Sequence, residues 1–386
     1  MGKSLLRVGT NTKFFVIAVW GAYLLLQGIV PHTQAATRRE IGISTGATLL
    51  RMKDRDLDKR LTDIERLGAT WIRVDFNWPA IQPDNARTYH WSMYDRLVRV
   101  ADAHNLKILG VLGYTPRWAQ EPRCRTLVIT LAAGTKCNPK NNETFANFAK
   151  TAAQRYKGKS VRAWEIWNEP NLSAYWKTAQ PKNNAVHADA LAYARLANAA
   201  AYQIRHSAPD TLIITGGLAP LFEPKYPKGL RQSDYLSQLL RHLNPSLFDG
   251  VGIHPYSWPT LPMTAVIHNA FYSVDRGRTK YNLKTIMQKT HFGGKQLWAT
   301  EYGAPTKGIS RPGQRPDHVS ETIQAIIIAQ GIQSWYAKPN VGPMFVHSDS
   351  DQWLPKRKNE GGFGLRRKDG SKKPAFEMFQ RAANQL

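Results

Sequence analysis

Cysteine is nearly absent: the 386 residues hold two, Cys124 and Cys137. Two thiols without histidines nearby cannot supply the four ligands of a structural zinc site. Acidic residues are scarce too, 28 against 53 Lys and Arg, for a net charge of +25. A field of that sign attracts nucleic acid, acidic polysaccharide or anionic lipid headgroups, and equally serves solubility. Zinc-finger spacing, an RNP-like aromatic strand and a basic heptad are all missing, which argues against a dedicated nucleic-acid binder. Beyond residue 30 no apolar run is long enough for a bilayer span. No linker, low-complexity tract or composition shift marks a second domain.

What is present begins with an export-like N-terminus. Lys3, Arg7 and Lys13 precede an apolar run from Phe14 to Val30, and Thr33-Gln34-Ala35 supplies small residues as a cleavage site does. The run is long for a signal peptide and at the lower edge of the roughly 17–25 residues a span takes. Residues 1–35 therefore read as a signal peptide or a signal anchor, and 36–386 as one domain outside the cytosol: secreted, periplasmic or attached to the cell envelope. A membrane association would run only through an uncleaved anchor. In an oxidising compartment Cys124 and Cys137 are expected to pair, closing a loop worth about 3 kcal/mol in the chain-entropy model.

Apolar residues make up 42% of the chain, enough for a large core. Leu57, Leu61, Ile64 and Leu67 fall at helical spacing and stop at Gly68. Trp71-Ile72-Arg73-Val74-Asp75 then reads as a strand. Lys107 to Gly113 is a near-continuous apolar strand of the kind covered on both faces. The alternation repeats along the chain. Strands are expected at 41–44, 71–75, 107–113, 163–168, 211–215, 250–254, 295–301 and 342–347. Helices are expected at 56–67, 94–104, 142–156, 187–207, 233–243, 281–289, 318–336 and 375–384. Eight such units predict an α/β fold, a single (β/α)8 TIM barrel. The segments 114–141, 170–186, 255–275 and 348–364 all follow strands, so these extended loops should rim the C-terminal face, where barrels of this kind bind ligands.

The strand ends carry the chemistry. Ala163-Trp164-Glu165-Ile166-Trp167-Asn168-Glu169 is apolar, turns polar, and must end before Pro170, which cannot donate to a sheet. Arg73, Asp75, Tyr114, His254, Tyr256, Glu301 and His347 end other strands. Two carboxylates at equivalent ends, Glu169 and Glu301, are what glycoside hydrolysis uses: one protonates the leaving oxygen, the other attacks the anomeric carbon or activates water. Glu165 alternates with Glu169 at period two and reads as a structural carboxylate lower in the barrel, paired with Arg73 or another inward base. Asp75 reads as a substrate-binding or strand-bracing residue and His347 as a rim residue. Trp167 and Trp298, inside strands, are expected in the barrel core. No His/Asp/Glu cluster has metal-ligand spacing, so neither metal nor cofactor is expected.

Trp164-Glu165-Ile166-Trp167-Asn168-Glu169-Pro170 resembles the Asn-Glu-Pro signature of the clan A glycoside hydrolases. Trp298-Ala299-Thr300-Glu301-Tyr302-Gly303 is similar to that clan's nucleophile strand. Further matches lie at Arg73, at Thr115-Pro116-Arg117-Trp118-Ala119, at His254-Pro255-Tyr256 and at Lys372-Lys373-Pro374-Ala375-Phe376. The resemblance is nearest to family 39, then to family 5. It implies a retaining double displacement with Glu169 as acid/base and Glu301 as nucleophile. Asn168 would bind the sugar 2-hydroxyl, Arg73 would keep Glu301 ionised, and Tyr256 or Tyr302 would donate to Glu301. His254 would position the sugar or a carboxylate. Of the loop rings Trp78, Trp118, Trp176, Trp258 and Trp353, some would stack on sugar and the others pack the loops; Trp118, Trp258 and Trp353 are the candidates for stacking. The expected partner is a poly- or oligosaccharide, with an anionic glycan suggested by the net charge, and the expected state is a monomer. A glycan-binding barrel without turnover, or a transglycosylase of envelope or exopolysaccharide biogenesis, is the alternative reading of the same residues.

Overall fold

The computed structural model describes residues 39–127, 136–179, 186–221, 230–266, 269–278, 280–308, 317–352 and 359–386. The expected signal segment lies outside them. Eight strands are β1 (Ile41–Gly46), β2 (Trp71–Asn77), β3 (Lys107–Gly113), β4 (Val161–Asn168), β5 (Leu212–Gly217), β6 (Gly250–Ile253), β7 (Gln296–Tyr302) and β8 (Val341–His347). They pair in parallel, each with its neighbour in sequence, and β8 returns to β1 to close the barrel. Their residues are almost all buried because helices cover the outer face and side chains fill the inner one.

A helix follows each strand: α1 (Asp54–Arg66), α2 (Ser92–Ala103), α3 (Asn142–Tyr156), α4 (Ala190–Ser207), α5 (Gln232–Leu239), α6 (Leu283–Gln288), α7 (Glu321–Tyr336) and α8 (Pro374–Asn384). Apolar spacing placed them, and capping side chains decide where several begin. Asp189 accepts from Ala192 N, so α4 starts at Ala190 rather than at His187. Asn282 and Ser320 start α6 and α7 in the same way, a few residues later than periodicity suggested. In the segment after β4, Thr178–Ala179 pairs antiparallel with Val186–His187, a small hairpin that no pattern announced.

Inside the barrel the bottom layer is apolar: Trp71, Leu109, Ala163, Ile214, Trp298 and Phe345. Trp71 meets Trp298 edge to face at 5.7 Å. The indole of Trp298 is admitted by Gly342, where a Cβ would stand 2.3 Å from its Nε1. Trp167 is equally buried but lies on the other side of the wall, against Phe145 of α3 and Trp176. It belongs to the layer between strands and helices, not to the barrel interior.

Above the aromatic layer the interior turns polar and opens to the C-terminal mouth. Two rim segments lock together there. Cys124 and Cys137 form a disulfide. Beside it, Asn138 N donates to Lys177 O and Lys177 N donates to Lys136 O, both at 2.9 Å. The loop after β3 is thus hydrogen-bonded to the loop after β4. Residues Arg39–Leu386 cluster as one unit. Among the described residues no helix is long and apolar enough to cross a membrane.

Candidate active site

Arg73 organises the floor of the mouth. It points inward from β2 and is 1% exposed. Its Nε and Nη2 donate to Glu165 Oε2 and Oε1 at 2.6 and 3.2 Å. Nη2 also reaches Asn168 Oδ1 at 2.7 Å. Nη1 donates to Glu301 Oε1 at 2.6 Å and to Ser44 Oγ at 3.2 Å. One guanidinium therefore ties β1, β4 and β7 to β2, using the planar fork that a lysine lacks. Burial works against its charge, but Glu165 and Glu301 outweigh that and hold the pKa above the usual arginine value. Glu165 is satisfied on all sides, since its Oε1 also accepts from Gly217 N and Thr300 Oγ1. It is the structural carboxylate expected from its position.

The end of β4 does not continue the simple alternation. Trp167 and Glu169 both have positive φ, 72° and 48°. Non-glycine residues in this region cost on the order of 1–2 kcal/mol each. Strict period two would have sent Trp167 inward with Glu165 and Glu169. The left-handed turn at Trp167 instead packs its ring outward, and Asn168 reaches Arg73 from the mouth side. Glu169 N is held by Gly217 O at 3.0 Å.

Glu301 stands opposite. Tyr256 donates to its Oε2 at 2.9 Å, while Arg73 holds Oε1. Burial pushes its carboxyl up, but His254, Arg73, His347 and Tyr256 together hold it well below the usual carboxylate range. His254, fully buried, lies between the two acids: its Nδ1 is 3.0 Å from Glu169 Oε1 and 3.7 Å from Glu301 Oε2. Burial opposes its protonation, and Glu301 and Glu169 prevail, so its pKa is raised. The ring fits because Gly217 has no side chain; a Cβ there would lie 2.3 Å from His254 Nε2. Ligand atoms of Glu169, His254 and Glu301 all lie within 4.8 Å of one another. Two carboxylates thus face each other over a cleft of about 1180 Å³, one clamped by cations and a phenol, the other touching an imidazole.

The sequence profile of one family, Cellulase (glycosyl hydrolase family 5), matches residues 35–336. The chain belongs to glycosyl hydrolase family 5. Solved structures with the same fold include a family 39 glycoside hydrolase from the gut symbiont Bacteroides cellulosilyticus WH2, with TM-score 0.65 and 21% identity over 90% of this chain and 64% of that one. This chain therefore spans somewhat less than two thirds of that protein. A monomeric beta-xylosidase from Caulobacter crescentus CB15 aligns with TM-score 0.62 and 20% identity, covering 89% of this chain and 67% of that one. A GH5_18 protein from Bifidobacterium longum, solved in complex with Manb1-4GlcNAc, aligns with TM-score 0.64 and 15% identity, covering 90% and 78%. No curated protein matches the chain at a significant level.

Within this family 5 barrel the site residues read from sequence divide. Arg73, Asn168, Glu169, His254, Tyr256 and Glu301 converge, and Trp258 lines the same cleft. Tyr302 does not reach it: its phenol donates to Ile327 O of α7 at 3.0 Å, behind the wall, leaving Tyr256 as the donor to Glu301. Trp298 and Thr300 face inward, so alternation would send Tyr302 inward as well; a register shift between Ala299 and Tyr302, where β7 pairs with β8, breaks the alternation. Trp118 donates to Gln82 O and packs edge-on to Trp78 at 5.6 Å, away from the cleft lining. Trp78 and Trp176 are wholly buried packing. Trp353 lies outside the described residues.

Sequence reasoning missed Ser44, Lys136 and Phe363. Lys136 had one usable signal, its place beside Cys137 in a loop expected at the mouth. Phe363 packs on Tyr256 and Trp258 at 5.6 and 6.3 Å and extends the aromatic wall. The Glu169, His254 and Glu301 trio has the proximity a metal ion needs, although the sequence showed no ligand spacing. Arg73 at 2.6 Å from Glu301 already supplies a cation there, and a second charge would be repelled. Among the described residues the lining of the cleft holds five carboxylates (Asp75, Glu169, Glu301, Asp317, Glu360) and three Arg or Lys (Arg51, Arg73, Lys136).

Proposed function

We propose that this family 5 protein is an exported retaining glycosidase that cleaves β-glycosidic bonds in a poly- or oligosaccharide. The observation that carries the reading is the spacing of Glu169 and Glu301, whose oxygens come within 4.8 Å. Retaining enzymes hold their carboxyl groups about 5–5.5 Å apart, whereas inverting ones leave about 6.5–9.5 Å for a water. Glu301 is the nucleophile: ionised by its cationic neighbours, it attacks the anomeric carbon. Glu169 gives its proton to the leaving oxygen, with His254 holding it in place. The glycosyl ester on Glu301 has no negative charge, so Glu169 then takes a proton from the entering water, and the ester is cleaved with net retention. Asn168, fixed by Arg73, presents its amide N–H to the 2-hydroxyl. Trp258 and Phe363 offer ring surface to further sugar units.

Export is supported by the N-terminal run and by the Cys124–Cys137 pair, which suits an oxidising compartment. The cleft is built from one chain and needs no second subunit, in keeping with a monomer. A β-glycoside screen with wild type, Glu169→Gln and Glu301→Gln tests the reading, followed by labelling with a mechanism-based fluoro-sugar and peptide mapping. The label is expected on Glu301. A label elsewhere, or full turnover by Glu301→Gln, would falsify the mechanism.

A further inference from the structure

The loop after β8 carries Phe363, and Phe363 touches two of the groups that keep Glu301 ionised. Its ring packs on Tyr256 at 5.6 Å and on His347 at 5.2 Å. Both of these, with His254 and Arg73, hold the Glu301 carboxyl down. Backbone fixes Phe363 on one side, where Ser348 N donates to its carbonyl at 3.2 Å. On the other side is Gly362, whose carbonyl meets a lysine. Lys373, the residue before α8, is 1% exposed, while Lys372 beside it lies in solvent. Lys373 Nζ donates to Asp351 Oδ1 at 2.7 Å, to Thr306 Oγ1 at 2.8 Å and to Gly362 O at 3.1 Å. All three of its N–H bonds are thereby used. Thr306 in turn donates its N–H and its hydroxyl to the same Gly362 O, at 2.9 and 3.1 Å. The Asp351 side chain is equally buried. Its Oδ1 also accepts from Gly364 N at 2.9 Å, and Lys307 Nζ lies 3.1 Å from its Oδ2. One ammonium thus joins the loop after β7, the loop after β8 and the start of α8.

We propose that Lys373 is a positioning residue for the nucleophile: by holding Gly362 O it sets Phe363 against Tyr256 and His347, and so fixes two of the groups beside Glu301. The proposal rests on the glycosidase reading and adds to it a residue outside the cleft lining. A buried charge is a costly way to hold a loop, and a well-packed apolar pair of similar volume often serves stability as well or better. What an apolar pair cannot do is bind a carbonyl. Lysine suits the task because its three donors diverge from one point, here toward an acid, a hydroxyl and a peptide oxygen. Burial lowers the pKa of Lys373, and Asp351 works against that. Asp351 thus helps keep the ammonium protonated, and a neutral amine would give Gly362 O a weaker bond.

The test follows kcat/KM against pH for the best substrate in a panel of p-nitrophenyl β-glycosides, small enough to leave contacts with further sugars out. The proteins are wild type, Lys373→Met, Thr306→Val, Phe363→Ala and the doubles Lys373→Met/Asp351→Asn and Lys373→Met/Phe363→Ala, with unfolding midpoints measured alongside. Lys373→Met should lower kcat/KM about 10-fold and move its acid limb upward. That is the direction of a Glu301 with less support, because Arg73, His254, Glu169 and Asp75, which also face it, stay in place. Adding Asp351→Asn removes the buried acid that has lost its partner, and should restore the midpoint without restoring the limb. Thr306→Val loosens the same carbonyl with both charges present and should move the limb the same way by less. Phe363→Ala should match Lys373→Met, and the double of the two should lose little more. The proposal fails if the acid limb keeps its wild-type place in Lys373→Met/Asp351→Asn or, where neither lysine variant folds, in Thr306→Val. It also fails if Lys373→Met lowers activity as much on the Phe363→Ala background as in wild type. Wild type that turns over none of the glycosides sinks the glycosidase reading itself, and this proposal with it.

Discussion

At the scale of the residue, Arg73 and Glu301 decide the site together. Removing the guanidinium leaves Glu165 buried with an unpaired charge, since Glu165 is fully enclosed. Breaking a buried pair from one side costs about 3–5 kcal/mol. Arg73→Met is expected to lose stability of that order in urea titration, and activity with it. Glu301 makes a pH prediction. Its folded pKa is depressed, so its contribution to stability is present above the unfolded value of about 4.3 and is lost as pH falls through the folded value. His254 has the opposite sign: raised in the fold, it contributes fully below about pH 6.5 and loses that as pH rises through its folded value. Tyr256→Phe removes one donor to Glu301 and should shift the acid limb of kcat/KM upward, while Glu169→Gln should lower kcat by about 10²–10⁴. A pH–rate profile that leaves the acid limb of Tyr256→Phe in place would remove Tyr256 from this role. Both glutamates were legible in the sequence because strand ends are recognisable. His254 was expected to position the sugar or a carboxylate, and the fold decides between them by setting its ring against Glu169, 85 residues away.

Elements are held by signals of different reach. The helices were readable from apolar spacing, but the starts of α4, α6 and α7 were not; capping residues whose backbone partners lie three positions on set them. Ser320→Ala, at the start of α7, should cost about 1 kcal/mol by chemical denaturation. The loop after β3 depends on a covalent link. Replacing Cys124 and Cys137 together by serine should lower stability by about 3 kcal/mol, and dithiothreitol should do the same to wild type. The turn of β4 shows the limit of local reading. Alternation is a property of extended backbone, and Trp167 is not extended. Its ring is drawn outward by Phe145 and Trp176, one from α3 and the other from the next loop. Tyr302 and Trp118 were drawn into packing by the same kind of distant contact, and no local pattern records which side of a wall a ring will take.

For the whole molecule the question is where the charge acts. Lys and Arg exceed Asp and Glu by 25, yet among the described residues carboxylates outnumber Arg and Lys in the cleft lining. Binding to a polyanion such as heparin should therefore be strong and fall steeply with salt, since exposed charges are screened within about 10 Å at 0.1 M. Turnover of a small neutral glycoside should change little over the same range. Parallel salt series for binding and for turnover check this; a matching steep loss in both would place the basic field inside the active site.

The order of eight strands and eight helices was written in the sequence, because periodicity and caps are local and each unit repeats the same pattern. So were the two acids, the arginine below them and the cysteine pair. Closure brought together what the sequence keeps apart: Arg73 with three other strands, and His254 between Glu169 and Glu301. Those contacts depend on strand register and on a left-handed turn at Trp167, and both are settled by packing across the barrel rather than along the chain.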